Sequence, residues 1–503
     1  TGSNLRADFT YYPGNDRLET QTFTDLSSGE TRTTRWTYLA TGEVESITQG
    51  YATPEATTLT YEYDDARRLT RIYDGFSNYI EYELDTEGNV VTENIYDKAG
   101  ILLKTLSQYF DAYNRLDVSE QANETRDHNF SPDGTLDYET DGKNVVTDYS
   151  YDALRRLTSI TQDLGGTDPS SANALTRFGY DVQDNLVSVA DPNGGQTSYI
   201  YDDLGNLISL NSPDTGASNY THDEVGNIVS MTDAKGQVFN YSYDALGRLT
   251  LADAPGTKDD VIYMYDTCEN GAGKLCSVNR DAVTVSYGYT AFGDIKSSTQ
   301  TVTTFPSYEL AMSKVSYRYN AVGRITDMIY PGGNKVTYTY DAAGNAYSVI
   351  LNNGEKNLVT GALYYPFGPE RFVARDNGSS IFSYMDQAYR TLITGHGGYF
   401  YDVIYYDANG NPATFYSSEG GKNHDYDALD RLDTSSGPYG SREYGYDING
   451  NRTSKQVNGV TDVYSYDINT NRMNTTAGSS VVLDANGNTT SPGGMSVSYT
   501  SDN

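Results

Sequence analysis

Apolar and polar positions alternate along this chain with a period of two. In Val238-Phe239-Asn240-Tyr241-Ser242-Tyr243, the residues Phe239, Tyr241 and Tyr243 fall on one face and Asn240 and Ser242 on the other. Val336, Tyr338 and Tyr340 repeat the alternation, as do Tyr199 with Tyr201 and Tyr317 with Tyr319. Successive side chains of a strand point to opposite faces, so this period predicts β-strands. Each run ends at an aromatic residue followed by Asp, a short spacer and Gly. In Asp244-Ala245-Leu246-Gly247 the Asp side chain can accept from its own backbone two residues on, and Gly tolerates positive φ. A turn ending in a Gly bulge is the expected connection. Leu249 restarts the alternation on a return strand, and a looser link such as Asp191-Pro192-Asn193-Gly194-Gly195 leads onward.

One hairpin cannot bury its aromatic face alone. Stacked hairpins are expected to lay Tyr on Tyr, at about 0.2–1 kcal/mol per cross-strand aromatic pair. Tyr in place of Phe suits a sheet with a wet face, because its hydroxyl needs a partner.

The hairpin recurs. Tyr243-Asp244-Ala245-Leu246-Gly247-Arg248-Leu249 is the clearest copy, and Tyr151-Asp152, Tyr201-Asp202-Asp203-Leu204-Gly205, Tyr319-Asn320-Ala321-Val322-Gly323-Arg324, Tyr340-Asp341-Ala342-Ala343-Gly344 and Tyr446-Asp447-Ile448-Asn449-Gly450 follow it. Positions 180, 201, 222 and 243 are spaced by 21 residues, and 406, 426, 446 and 466 by 20, with His222 in place of Tyr. A fixed period of this kind signals a repeat architecture. The expected organisation is one continuous array over 1–503 of about twenty repeats of ~20–21 residues. Degenerate copies lie near 12–44 and 365–406, where Tyr384-Met385-Asp386-Gln387-Ala388-Tyr389-Arg390 fills the gap. The longer intervals 165–174 and 300–312 read as loops. The recurring residues of the motif are assigned a structural role, and Arg248 and its equivalents are expected to form a ladder with the motif Asp residues, worth about 0–1 kcal/mol per exposed pair.

Composition changes the picture in three ways. The formal net charge is −33, which disfavours nucleic acid and anionic membrane surfaces as partners. The 48 Tyr set the chain apart from disordered acidic segments, and the 48 Gly match a turn-rich fold. No apolar run is long enough for a membrane span. The chain begins with Thr1, stops at Asn503 inside what reads as another repeat, and is taken as a piece of a longer protein.

Candidate chemistry is sparse. Cys268 and Cys276 are separated by seven residues, two of them Gly, which permits a hairpin that brings the sulfurs together. A disulfide is the expected state, with free thiols or half a metal site as alternatives. A disulfide would point to an extracellular location. Asp407-Ala408-Asn409-Gly410-Asn411, Asp447-Ile448-Asn449-Gly450-Asn451 and Asp484-Ala485-Asn486-Gly487-Asn488 look like calcium loops but lack the closing Glu, and they coincide with the repeat turn. His128, His222, His396 and His424 are scattered, with His396 read as a loop tip. No Gly-x-Ser-x-Gly, His-Glu-x-x-His or phosphate-binding Gly loop occurs, so no catalytic, cofactor-binding or metal residue is assigned. Trp36 reads as a packing residue.

Tyr-Asp-x-x-Gly-Arg-Leu at this period resembles the YD-repeat (Rhs-repeat) family, over nearly the whole chain. The Tyr-Asp-Thr-Cys…Gly-Lys-Leu-Cys segment is similar to bacterial Rhs proteins. The resemblance implies an all-β fold of YD-repeat hairpins forming a spiralling sheet shell, a hollow cage or part of one. It implies a secreted, non-catalytic shell that encloses a C-terminal toxin or effector; the related shell of animal teneurins serves adhesion. The partners implied are the chain's own C-terminal cargo or other shell segments. The Pro- and Asp-Gly-rich self-cleaving segment of toxin-bearing members is not present before Asn503. The alternative reading is an extracellular adhesin or fibre that binds cell-surface glycans or proteins. A hydrolase hidden in the repeats is a third.

Overall fold

The computed structural model describes residues 4–256, 260–303, 310–397, 400–467, 469–492 and 497. Among them are 44 β-strands and one short 3-10 turn, Asn352–Gly354. No helix is long and apolar enough to cross a membrane. The described residues fall into two compact units, each built from two stretches distant in sequence. The first comprises 1–122 and 263–403, the second 123–262 and 404–503.

Strands that follow one another in the chain pair antiparallel within each unit. The strand Val238–Tyr243 pairs with Leu249–Asp253, Tyr241 facing Ala252. Its exposure alternates as the two-residue period requires, with Phe239, Tyr241 and Tyr243 on the more covered face. At the end of the pair Ser242 faces Leu251 but Tyr243 faces Leu249, so Thr250 is the extra residue of a bulge. Its hydroxyl donates across the ladder to Ser242 O at 3.0 Å, as Thr158 does to Ser150 O.

The ribbon made this way has two edges. The aromatic-Asp turns occupy one and the links the other. Few side chains are deeply buried; Ile95, Ala174, Tyr289, Val336, Ala362 and Tyr365 are among them. Most strand residues are half-covered by cross-strand and same-face neighbours, the pairwise currency of sheet stability.

Two expectations are corrected here. Residues 300–303 and 310–312 continue the strands Ile295–Thr303 and Leu310–Tyr319, with Thr303 facing Leu310. The run Thr299-Gln300-Thr301-Val302-Thr303 keeps the strand alternation, so a longer hairpin forms; 304–309 lie outside the described residues. His396 ends the strand Thr391–His396 and is not a loop tip, because Gly395 lacks the Cβ that would lie 2.2 Å from the Phe382 ring across the ladder. Residues 163–173 do form a link loop, closed by Ser171 Oγ donating to Asp163 Oδ2 at 2.8 Å.

Candidate functional site

The recurring turn is the chemical unit of this chain. Tyr151, Tyr201, Tyr243, Tyr319, Tyr340 and Tyr446 each end a first strand opposite Leu157, Leu207, Leu249, Ile325, Ala346 and Arg452. Asp244 follows Tyr243 and closes the turn through its own backbone. Its Oδ1 accepts from Leu246 N at 2.9 Å and Arg248 N at 3.0 Å, and its Oδ2 from Arg248 Nε at 2.7 Å. Asp152 does the same with Leu154, Arg156 N and Arg156 Nε. In Asp202, Asp341 and Asp447 an Asn side chain replaces Arg on Oδ2. Gly247 donates its N–H to Asp244 O at 3.0 Å and adopts φ +74°. Gly205, Gly323, Gly344 and Gly450 share that conformation, and Arg155 adopts it without being Gly. These contacts hold the carboxylates of Asp152, Asp202 and Asp244 below their usual range: at Asp244 the Arg248 side chain is the largest cause, then the Arg248 N–H.

Two further bonds tie one repeat to the next. The motif Tyr hydroxyl donates to the carbonyl that opens the return strand of the preceding hairpin. Tyr243 reaches Ile228 O at 2.9 Å, Tyr340 reaches Ile325 O at 2.6 Å and Tyr446 reaches Leu432 O at 2.9 Å. Tyr63, Tyr289, Tyr319, Tyr364, Tyr426 and Tyr466 make the same bond. The Arg after the positive-φ turn residue reaches forward. Arg156 lies over the Tyr180 ring at 4.9 Å, Arg324 over Tyr340 at 5.6 Å and Arg431 over Tyr446 at 4.8 Å. Arg156 and Arg431 also donate to Asp181 O and Asp447 O of the following turn. The expected Asp–Arg pairing therefore runs inside the turns that carry both residues, such as 152–156, 244–248 and 427–431, and at Arg156 and Arg431 continues onward through ring and carbonyl. Tyr-on-Tyr contact between consecutive motif positions is seen at Tyr12 and Tyr38, 6.1 Å apart.

The enlarged turn after Tyr265 carries Cys268 and Cys276, joined as a disulfide with Cα atoms 5.4 Å apart. Gly271 lies against both sulfurs, where a Cβ would fall 2.4 and 2.6 Å from them.

Within each unit, repeat turns of one stretch seat on link turns of the other. In the first unit Arg32 bonds Asp294 at 2.5 Å and covers the Phe292 ring at 4.2 Å. Gly75 approaches so closely that a Cβ would lie 2.2 Å from Ala342 O. In the second, Asn409 Nδ2 donates to Asp141 Oδ2 at 2.6 Å, and Lys143 pairs with Asp407 and Asp430 at 3.0 and 2.8 Å. Asn193 bonds Asn449 and Asp447, Asn471 N donates to Asp214 Oδ1, and Asn486 Nδ2 donates to Asp233 Oδ2. The calcium-like loops are thus repeat turns whose middle Asn joins two stretches of ladder. The signal was in the sequence: turn position three is Leu246 or Leu204 in the middle repeats but Asn409, Asn449 and Asn486 in three of the late ones. Where no link turn lies opposite among the described residues, that position is an exposed apolar tip. Leu154, Leu204, Val225 and Leu246 are 68, 82, 82 and 77% exposed, and Val182, one position earlier in its turn, is 96% exposed.

The histidines stay apart. His222 faces Ile228 as a motif Tyr would, and His424 packs edge-on to Phe415, where burial pushes its pKa down. Trp36 lies mid-strand in Thr31–Tyr38, opposite Ile47, and its carbonyl accepts from Tyr12 Oη at 3.0 Å.

Tandem hairpins closed by an Asp–Gly turn and tied by Tyr to the repeat before define a YD-type repeat protein. Segments 174–217, 222–258 and 317–355 match the family RHS Repeat, and the chain carries Rhs repeats over those segments. A comparison with curated proteins finds no match. Among solved structures the fold is shared with TcdB2-TccC3, at 14% identity and TM-score 0.74, over 99% of this chain and 30% of that one. It is shared too with the Tc holotoxin pore of Photorhabdus luminescens, at 14% identity and TM-score 0.72, over 97% and 28%. TcdB2-TccC3 without its hypervariable C-terminal region gives 14% and 0.71, over 97% and 28%. The chain spans less than a third of those chains, and at this identity the likeness establishes the fold.

Proposed function

We propose that this chain is the non-catalytic repeat shell of a secreted Rhs-repeat protein, which encapsulates and helps deliver a C-terminal toxin or effector. The observation that carries the reading is the fold shared, over nearly the whole chain, with structures of toxin components. A ladder whose residues are spent on turns, inter-repeat bonds and seams suits a container. The row of exposed apolar tips from Leu154 to Leu246 supports a role for further shell segments as partners, because apolar tips left to solvent cost free energy that a covering link edge removes. One array over 1–503 is part of this proposal. Small-angle scattering of the chain tests it. A hollow-body profile is expected, and a filled or rod-like profile would sink encapsulation. The adhesin reading gains support from one feature, a ring-lined cleft in the first unit.

A further inference from the structure

The first unit holds an open cleft of about 640 Å³ between link turn 74–78 and repeat turns 341–345 and 364–370. A second hollow of about 260 Å³ adjoins it and shares Leu59, Asp74 and Ala343. The larger lies in the range of ligand sites. Phe76, Tyr347 and Phe367 line it and remain 43, 44 and 39% exposed.

Phe367 is held at an unusual cost. Its turn departs from the motif: Tyr365 stands for Asp, and the positive φ, +49°, falls on Phe367. In the copy 244–247 it falls one residue later, on Gly247. A bulky side chain in that region is strained by about 1–2 kcal/mol. The surroundings enforce it. Tyr365 is 7% exposed and donates to Ser383 O at 3.2 Å, and Tyr389 Oη donates to Pro366 O at 2.9 Å. Strain fixed this way concentrates at ligand clamps.

The polar groups have capacity left. Asp74 Oδ2 accepts from Asn78 Nδ2 at 2.8 Å and Asp341 Oδ2 from Asn345 Nδ2 at 3.3 Å. A carboxylate oxygen can accept a second hydrogen bond. Lys98 lines the cleft and has no ion-pair partner among the described residues. Rings beside carboxylates and amides fit a polyhydroxylated ring with apolar C–H faces. Two carboxylates, on a chain of net charge −33, disfavour an anionic one.

We propose that this cleft binds a neutral oligosaccharide, its C–H faces on Phe76 and Phe367 and its hydroxyls on Asp74, Asp341 and Lys98. The site stands independently of encapsulation, which scattering tests separately. The test is titration of the protein with chitotriose, maltotriose and cellotriose, followed by ligand NMR. Phe367→Gly is the decisive variant, because Gly accepts the φ and keeps the turn. At least one sugar is expected to bind saturably, and Phe367→Gly to weaken it by about tenfold or more, about 1.4 kcal/mol, with an unfolding midpoint no lower than the parent's. Absence of saturable binding for all three sugars overturns the proposal, as does any smaller loss in Phe367→Gly.

Discussion

The motif Tyr and Asp do different work. Asp244 acts within five residues of itself, and Tyr243 acts on the hairpin before it. Tyr243→Phe keeps the ring and removes only the hydroxyl bond to Ile228 O. It should lower stability by about 0.5–1.5 kcal/mol, the net worth of one such bond. Denaturant unfolding measures this, and an unchanged midpoint would show the hydroxyl to be idle. The carboxylates predict a pH response. Asp244, Asp152 and Asp202 are held below their usual range, so they bind protons less readily folded than unfolded. Their contribution is fully present above the unfolded pKa of about 3.9 and is lost as pH falls through the lower folded values. The guanidinium midpoint should therefore stay level from about pH 8 to pH 5 and drop below about pH 4. A large drop already at pH 5 would contradict the assignment.

Each hairpin is a local device, which is why its sequence announced it. Gly247→Val places a β-branched residue at φ +74° and should cost about 1–3 kcal/mol. Arg155 already sits in that conformation at φ +62°, so Arg155→Gly should leave stability equal or raise it, by up to about 1 kcal/mol. Opposite signs for the two variants in thermal unfolding would establish the turn; full stability of Gly247→Val would refute it. The Cys268–Cys276 disulfide closes a short loop, and its loss in the double Cys→Ser variant should cost about 2–3 kcal/mol. An unfolding midpoint that does not move on reduction would show that the loop constrains nothing. Elements were misread where a local cue was taken for a break. Gln300 to Thr303 keeps the strand alternation with few apolar residues, and Gly395-His396 holds a Gly that the facing ring requires.

At the scale of the molecule, each unit depends on bonds between stretches far apart in the chain. Asn409 and Asp141 are 268 residues apart. Asn409→Ala should cost about 1–2 kcal/mol, whereas Leu204→Ala at the same turn position of an uncovered repeat should stay within about 0.5 kcal/mol. Urea unfolding compares them, and equal effects would deny the seam any energetic role.

The sequence by itself determined the strand, the turn and the bulge, because they are set by residues close in the chain, and the repeat, because that local unit recurs every 20–21 residues. Asp244, Gly247 and Arg248 need no distant partner to form their turn. Only the tertiary structure decided which link turn lies under which repeat turn, which carbonyl each Tyr finds, and that Phe76 and Phe367 line one cleft. Those outcomes follow from small twists summed over many hairpins. No single motif encodes such a sum, so a loop that read as a calcium mimic, 407–411, became a seam once Asp141 and Lys143 lay against it.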